Sequence, residues 1–337
     1  MYNKISNGFY LKALWLLILY TSFKVVSTAQ SIGSFQPTGH FEEQEFFLEN
    51  FVTDVTVSIN TPGLFNKKGV TYLILFALPN GNSIEWTKGK KLKEGDDWHF
   101  DIQHIAAQTR FIREADKKNN YIIAYLIASQ KSWPAWKRTT PDSKALIKNL
   151  VNKITFMFID YKPKIILNGH SGGGSFIFGY LDAVEKIPAN IERIAFLDSD
   201  YGYEDSLHTN KLSSWLKEDK KNKLLVLAYN DSLVIFNGKP LVSPTGGTWY
   251  RSRLMQRKLS GSFSFKTSAD TSLIWHKALK GRIQIVLKEN PTGLIYHTVQ
   301  VEKNGFIFSM FSGTKFDNRK RFTYFGERVY SQFITEQ

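Results

Sequence analysis

The residues best suited to chemistry lie in the stretch Gly169-His170-Ser171-Gly172-Gly173. A serine hydroxyl is a weak nucleophile unless the backbone lifts it clear of its neighbours and a base removes its proton. The pentapeptide meets the first need. An apolar run, 164–167, leads into it and a helix-like segment, 176–186, leaves it, which is the strand, sharp turn and helix of a G-x-S-x-G nucleophile elbow. Gly169 and Gly173 let strand and helix approach without a Cβ clash. For the base, three histidines follow Ser171: His208, His276 and His297. For a carboxylate to hold that base's tautomer, Asp198, Asp200 and Asp231 each stand at or just past the end of an apolar run. A metal reading of His99 and His104 is weaker, because their i, i+5 spacing departs from the i, i+4 of a zinc-binding helix.

The elements that must position these residues alternate along the chain. Residues 45–48 and 52–57 read as β-structure, ending at Pro62-Gly63. The run 70–78 is a buried strand, stopped by Pro79-Asn80-Gly81-Asn82. Residues 83–97 are charged and predict an exposed loop, whereas 99–115 carries Ile102, Ile105, Ala106, Phe111 and Ile112 at helical spacing. A strand follows over 121–128, with Trp133-Pro134 as a breaker, and Asp142 is placed as the N-cap of a helix over 143–157. Beyond the elbow the pattern predicts helices over 175–185, 208–218 and 273–279, and strands over 191–197, 223–228 and 282–287. Strands separated by helices give an α/β domain with a mainly parallel sheet. Residues 232–270, with Gly246-Gly247 and Trp249-Tyr250-Arg251, break the alternation and predict an insertion over the site.

On the pentapeptide in its strand–turn–helix setting, and on the βα units around it, residues 45–310 resemble the α/β-hydrolase superfamily of serine hydrolases. The resemblance implies a three-layer α/β sandwich with a mainly parallel central sheet and a short insertion after a late strand. It also implies a triad in the chain order nucleophile, acid, histidine. Ser171 takes the first place. His297, after the last strand, takes the third in preference to His276, and His208 comes too early. Asp231, in the turn Asp231-Ser232-Leu233-Val234, takes the second, with Asp198 and Asp200 as alternatives. The oxyanion hole falls to the Gly172 N–H and to the loop at Asn80, where the chain departs from the His-Gly-Gly-Gly form of many lipases and esterases. No metal or organic cofactor is required by this chemistry.

The first residues have the pattern of a secretory signal peptide. Lys4 and Lys12 precede an apolar core over 13–20, and Ser27-Thr28-Ala29 offers small residues before a cut at Gln30. Lys24 interrupts the apolar run well short of the ~20 residues that span a bilayer. The expectation is a leader over 1–29, one catalytic domain over 30–337, and export to the periplasm or beyond. Removing the leader takes three lysines and no acids, so the formal charge of +14 becomes +11. The remaining lysines form short clusters between apolar runs, which predicts a solvated face, and no zinc-finger or Walker spacing points to nucleic acid. The chain has no cysteine, which excludes thiol catalysis. Trp133, Trp136, Trp249 and Tyr250 are candidates for either core or cleft. The functional expectation is a carboxylesterase working through an acyl-enzyme on an ester-bearing small molecule or polysaccharide. A serine peptidase, or a catalytically silent glycan-binding protein on the same scaffold, is the alternative.

Overall fold

The computed structural model describes residues 34–96, 102–318 and 320–336. The expected leader and His99 lie outside the described residues. In chain order the first half comprises β1 (Gln36–Pro37), β2 (Glu43–Val52), β3 (Val55–Pro62), β4 (Thr71–Ala77), α1 (Ile84–Lys88), α2 (Ile105–Ala115), β5 (Asn120–Ala128), α3 (Trp133–Thr139), α4 (Ser143–Met157) and β6 (Lys164–His170). The second half comprises α5 (Gly174–Ala183), β7 (Ile191–Leu197), α6 (Asp205–Glu218), β8 (Lys223–Tyr229), β9 (Ile235–Phe236), β10 (Lys239–Pro240), α7 (Thr248–Leu259), β11 (Lys266–Ala269), β12 (Leu273–Ala278), β13 (Ile283–Lys288), α8 (Val299–Glu302) and α9 (Gly305–Phe311).

Eleven strands form one sheet in the order β1-β2-β3-β5-β4-β6-β7-β8-β13-β12-β11. The six from β5 to β13 are mutually parallel, and antiparallel strands extend the sheet at both edges. Helices cover both faces, which is why the parallel strands read as unbroken apolar runs. In β4, Leu73, Leu75 and Ala77 face one core, shared with Trp136 of α3, Leu150 of α4, Phe176 of α5, Trp215 of α6 and Met255 of α7. Ile74 and Phe76 face the other, shared with Ile105 and Ile112 of α2 and Phe306 and Ile307 of α9. The result is a three-layer α/β sandwich around a mainly parallel sheet. Among the described residues, no helix is long and apolar enough to cross a membrane.

Four local expectations are corrected. The segment 83–97 is not all loop: Ser83 caps α1, its hydroxyl accepting from the Trp86 N–H at 3.2 Å. Trp133-Pro134, expected only as a breaker after the strand, starts a helix. Pro134 sits in the first turn of α3, where its missing N–H costs nothing, and Ser132 caps it. Residues 273–279 form β12, not a helix. Over so short a run the apolar spacing fits either period, and full pairing with β13 decides it. Finally, the insertion is shorter than 232–270. Only the β9–β10 hairpin and its flanks stand apart. Met255 and Leu259 of α7 are buried in the main core, so that helix belongs to an outer layer.

Candidate active site

Strand β6 delivers its last residues to the middle of the parallel sheet, and the chain then turns sharply at Ser171. That serine has a φ of +54°, a left-handed backbone that costs a side chain on the order of 1 kcal/mol. Strain of this kind persists where the surroundings over-determine it, and the glycines show how tight those surroundings are. A Cβ on Gly173 would lie 2.1 Å from the Ala77 carbonyl of β4, and one on Gly172 would collide with the Asn80 side chain at 1.9 Å. The turn therefore presses against the end of β4, and Asn80 lies directly beside Gly172. Ser171, Gly172, Asn80 and His297 line one cavity of about 800 Å³.

His297 sits in the loop between β13 and α8, at the same end of the sheet. Its Nδ1 is 2.5 Å from Oδ2 of Asp198, which directly follows β7 and is fully buried. An Nδ1–H donated to a carboxylate leaves Nε2 as the free base. Asp198 also takes a positive φ, of 48°, and its other oxygen, Oδ1, accepts from the Thr248 hydroxyl at the start of α7. His170 packs beside His297. Its Nε2 lies 3.0 Å from the His297 carbonyl and the two rings are 4.5 Å apart. Burial, and secondarily the neighbouring His297, push the His170 pKa well down, so the ring is neutral and donates Nε2–H.

Asp231, the expected partner of His297, is bonded elsewhere. Its Oδ2 accepts from the Thr248 N–H at 2.8 Å, so it satisfies a donor in the buried first turn of α7. Burial, with the nearby Asp198 adding to it, raises its pKa to about 6. The structure thus brings His297 to Asp198, one of the two alternatives. Asp200, the other, is buried and accepts from the Ser252 hydroxyl at 2.8 Å. Burial pushes its pKa well above the ordinary carboxylate range. His276 lies on β12, between β13 and the edge strand β11, and pairs with the Thr267 hydroxyl at 2.9 Å. His104 is buried ahead of α2, and burial lowers its pKa to about 4. Trp133 and Trp136 are core residues in edge-to-face contact.

Sequence reasoning missed His170 and Thr248 as neighbours of the site. The variable position of the pentapeptide is the one signal that pointed to the first. Nothing in the sequence pointed to the second, because Thr248 meets Asp198 only through the packing of α7.

No protein-family profile matches the chain, and no curated protein matches it either. Solved structures do align with it. A thermostable esterase is 11% identical with a TM-score of 0.47, covering 80% of this chain. The chain spans 63% of that esterase's length. The feruloyl esterase module from Clostridium thermocellum is 8% identical with a TM-score of 0.47, covering 82% of this chain and 92% of the module. An acylaminoacyl peptidase from Pyrococcus horikoshii is 11% identical with a TM-score of 0.39, covering 89% of this chain and 43% of the peptidase. On its own strand order, its two covered faces and the elbow at the end of β6, the chain has the α/β-hydrolase fold.

Proposed function

We propose that this protein is an exported serine hydrolase that cleaves carboxylic esters through an acyl-enzyme. The observation that carries the reading is a single constellation: a serine at a positive-φ elbow shares a cavity with a histidine whose Nδ1 lies 2.5 Å from a buried aspartate. Ser171 is the nucleophile, His297 the base and Asp198 the acid. His297 Nε2 takes the Ser171 proton as Oγ attacks the carbonyl, and returns it to the departing alcohol oxygen. Water then repeats the step on the acyl-enzyme, releasing the carboxylic acid and restoring Ser171. The Gly172 N–H and the Asn80 side chain are the candidate donors to the oxyanion, where losing one donor costs about 10²–10³ in rate. The expected leader over 1–29 accounts for the proposed export.

A fluorophosphonate probe tests the nucleophile. The mature protein should label stoichiometrically, and Ser171→Ala should abolish labelling while keeping the far-UV spectrum. Wild-type protein that stays unlabelled beside a labelled control hydrolase would end the enzyme reading, and a labelled Ser171→Ala would move the nucleophile elsewhere. Faster turnover of peptide amides than of p-nitrophenyl esters would replace esterase by peptidase.

A further inference from the structure

The cavity continues well beyond the proposed catalytic group. Beyond Ser171, the α5 residues Ser175, Phe178 and Asp182 line it at spacings of three and four residues, so one face of α5 forms its floor. That face runs about 10 Å from Ser175 to Asp182, at 1.5 Å per residue. Lys137 of α3 borders it on one side and His208 of α6 on the other.

The polar groups along this arm are held in place and alternate in kind. Lys137 Nζ donates to the Ser175 carbonyl at 3.1 Å, and burial lowers its pKa. His208 accepts the Glu204 N–H on Nδ1 at 2.9 Å, which places its proton on Nε2, 3.1 Å from Asp182 Oδ1. Asp182 Oδ2 also meets Lys144 at 3.2 Å. The arm thus offers an ammonium, an imidazole and two carboxylates, Asp182 and Glu204, so charges of both signs line it. A ligand of one sign would meet repulsion somewhere along it, whereas hydroxyl groups both donate and accept. The remaining wall is different in character, with Phe236, Leu241, Val242 and Ile295 lining it.

We propose that the α5 arm is a binding subsite for a polyhydroxylated chain, so that the ester cleaved at Ser171 belongs to an acylated carbohydrate whose sugar units lie toward Asp182. The inference rests on the esterase reading and adds the substrate class and the residues that recognise it. Lys137 and Asp182 are its specificity residues, each presenting its charge to sugar hydroxyls. The apolar wall leaves the other end of the substrate free to be hydrophobic.

Two acetate esters sharing one acyl group test it: partially acetylated xylotetraose and butyl acetate. Wild-type kcat/KM should be at least tenfold higher for the tetrasaccharide. Lys137→Met and Asp182→Asn should each lower the ratio of the two kcat/KM values about tenfold, through KM for the sugar ester. If either variant fails to fold, Glu204→Gln at the exposed rim carries the test, with a smaller fall in the same ratio expected. Equal wild-type rates on the two esters, or a ratio unmoved in every folded variant, would overturn the subsite. Fluorophosphonate labelling separates the two failures: a protein that labels but shows no sugar preference keeps the esterase reading and loses this one.

Discussion

The ends of β7 and β8 each carry a buried aspartate, and the two meet at one residue, Thr248. Asp198 and Asp231 are 0% and 1% exposed, so burial alone does not separate them. What differs is the element that comes back to each. Asp198 faces His297, delivered from beyond β13, and takes the Thr248 hydroxyl on its second oxygen. Asp231 faces the backbone of α7 and takes the Thr248 N–H. One carboxylate is thereby aimed at the site and the other ties down the helix that aims it. A strand-end aspartate acquires a role from the segment returning to it, and that segment is distant in sequence.

The comparison breaks most directly at the two aspartates themselves. In Asp198→Asn the amide would present an N–H or a weaker acceptor to His297, disturbing the tautomer that frees Nε2. Turnover of p-nitrophenyl acetate should fall by about 10³–10⁴. Asp231→Asn keeps an oxygen for the Thr248 N–H, and its kcat should stay within roughly tenfold of wild type on the net value of one such bond. Steady-state kinetics on both variants decide the matter. A larger loss in Asp231→Asn than in Asp198→Asn would exchange the two assignments.

Thr248 offers a finer cut, since it serves both carboxylates. Thr248→Val keeps the shape and the N–H to Asp231 but withdraws the hydroxyl from Asp198. A hydrogen bond to a charged group contributes about 1.5–3 kcal/mol, so kcat should drop on the order of tenfold or more. KM should change little. Thr248→Ser should restore kcat. A variant that loses stability while keeping kcat would reduce Thr248 to a helix-start residue.

The sequence carried the frame of this site further than its wiring. Strands β4 and β6 to β8 were legible because both faces are buried, which leaves unbroken apolar runs with no other good explanation. Helix α4 and strand β7 fall where the pattern placed them, although Asp142, the expected cap of α4, has a φ of 53° and makes no side-chain cap bond. The elbow was legible because close approach of β6, α5 and β4 requires glycine, and glycine is visible in a sequence. Strand β12 was not, because periods of 2 and 3.6 both fit the six residues Leu273 to Ala278. The carboxylate at His297 was not either. Choosing Asp198 over Asp231 needed the path of α7, and α7 lay inside a stretch whose mixed composition read as an insertion.

The smallest expected effect concerns stability rather than rate. Burial, and then the charge on Asp198, raise the Asp231 pKa from 3.8 to about 6 against the weaker pull of the Thr248 and Trp249 N–H groups. The folded protein therefore holds this proton more firmly than the unfolded chain does. A raised carboxylate pKa contributes stability that is present at low pH and is lost as pH climbs from about 4 through about 6. At 1.36 kcal/mol per pKa unit, the full swing is on the order of 2–3 kcal/mol. Asp231→Asn never ionises, so that swing should disappear from its profile. Urea midpoints measured from pH 4 to pH 8 should show the variant gaining on wild type across that window, with the gap constant above pH 7. Parallel profiles would mean that Asp231 is ionised in the fold throughout, and that α7 is tied down by a charge rather than by a proton-sharing acid. The contrast with Asp198 would then rest on partners alone.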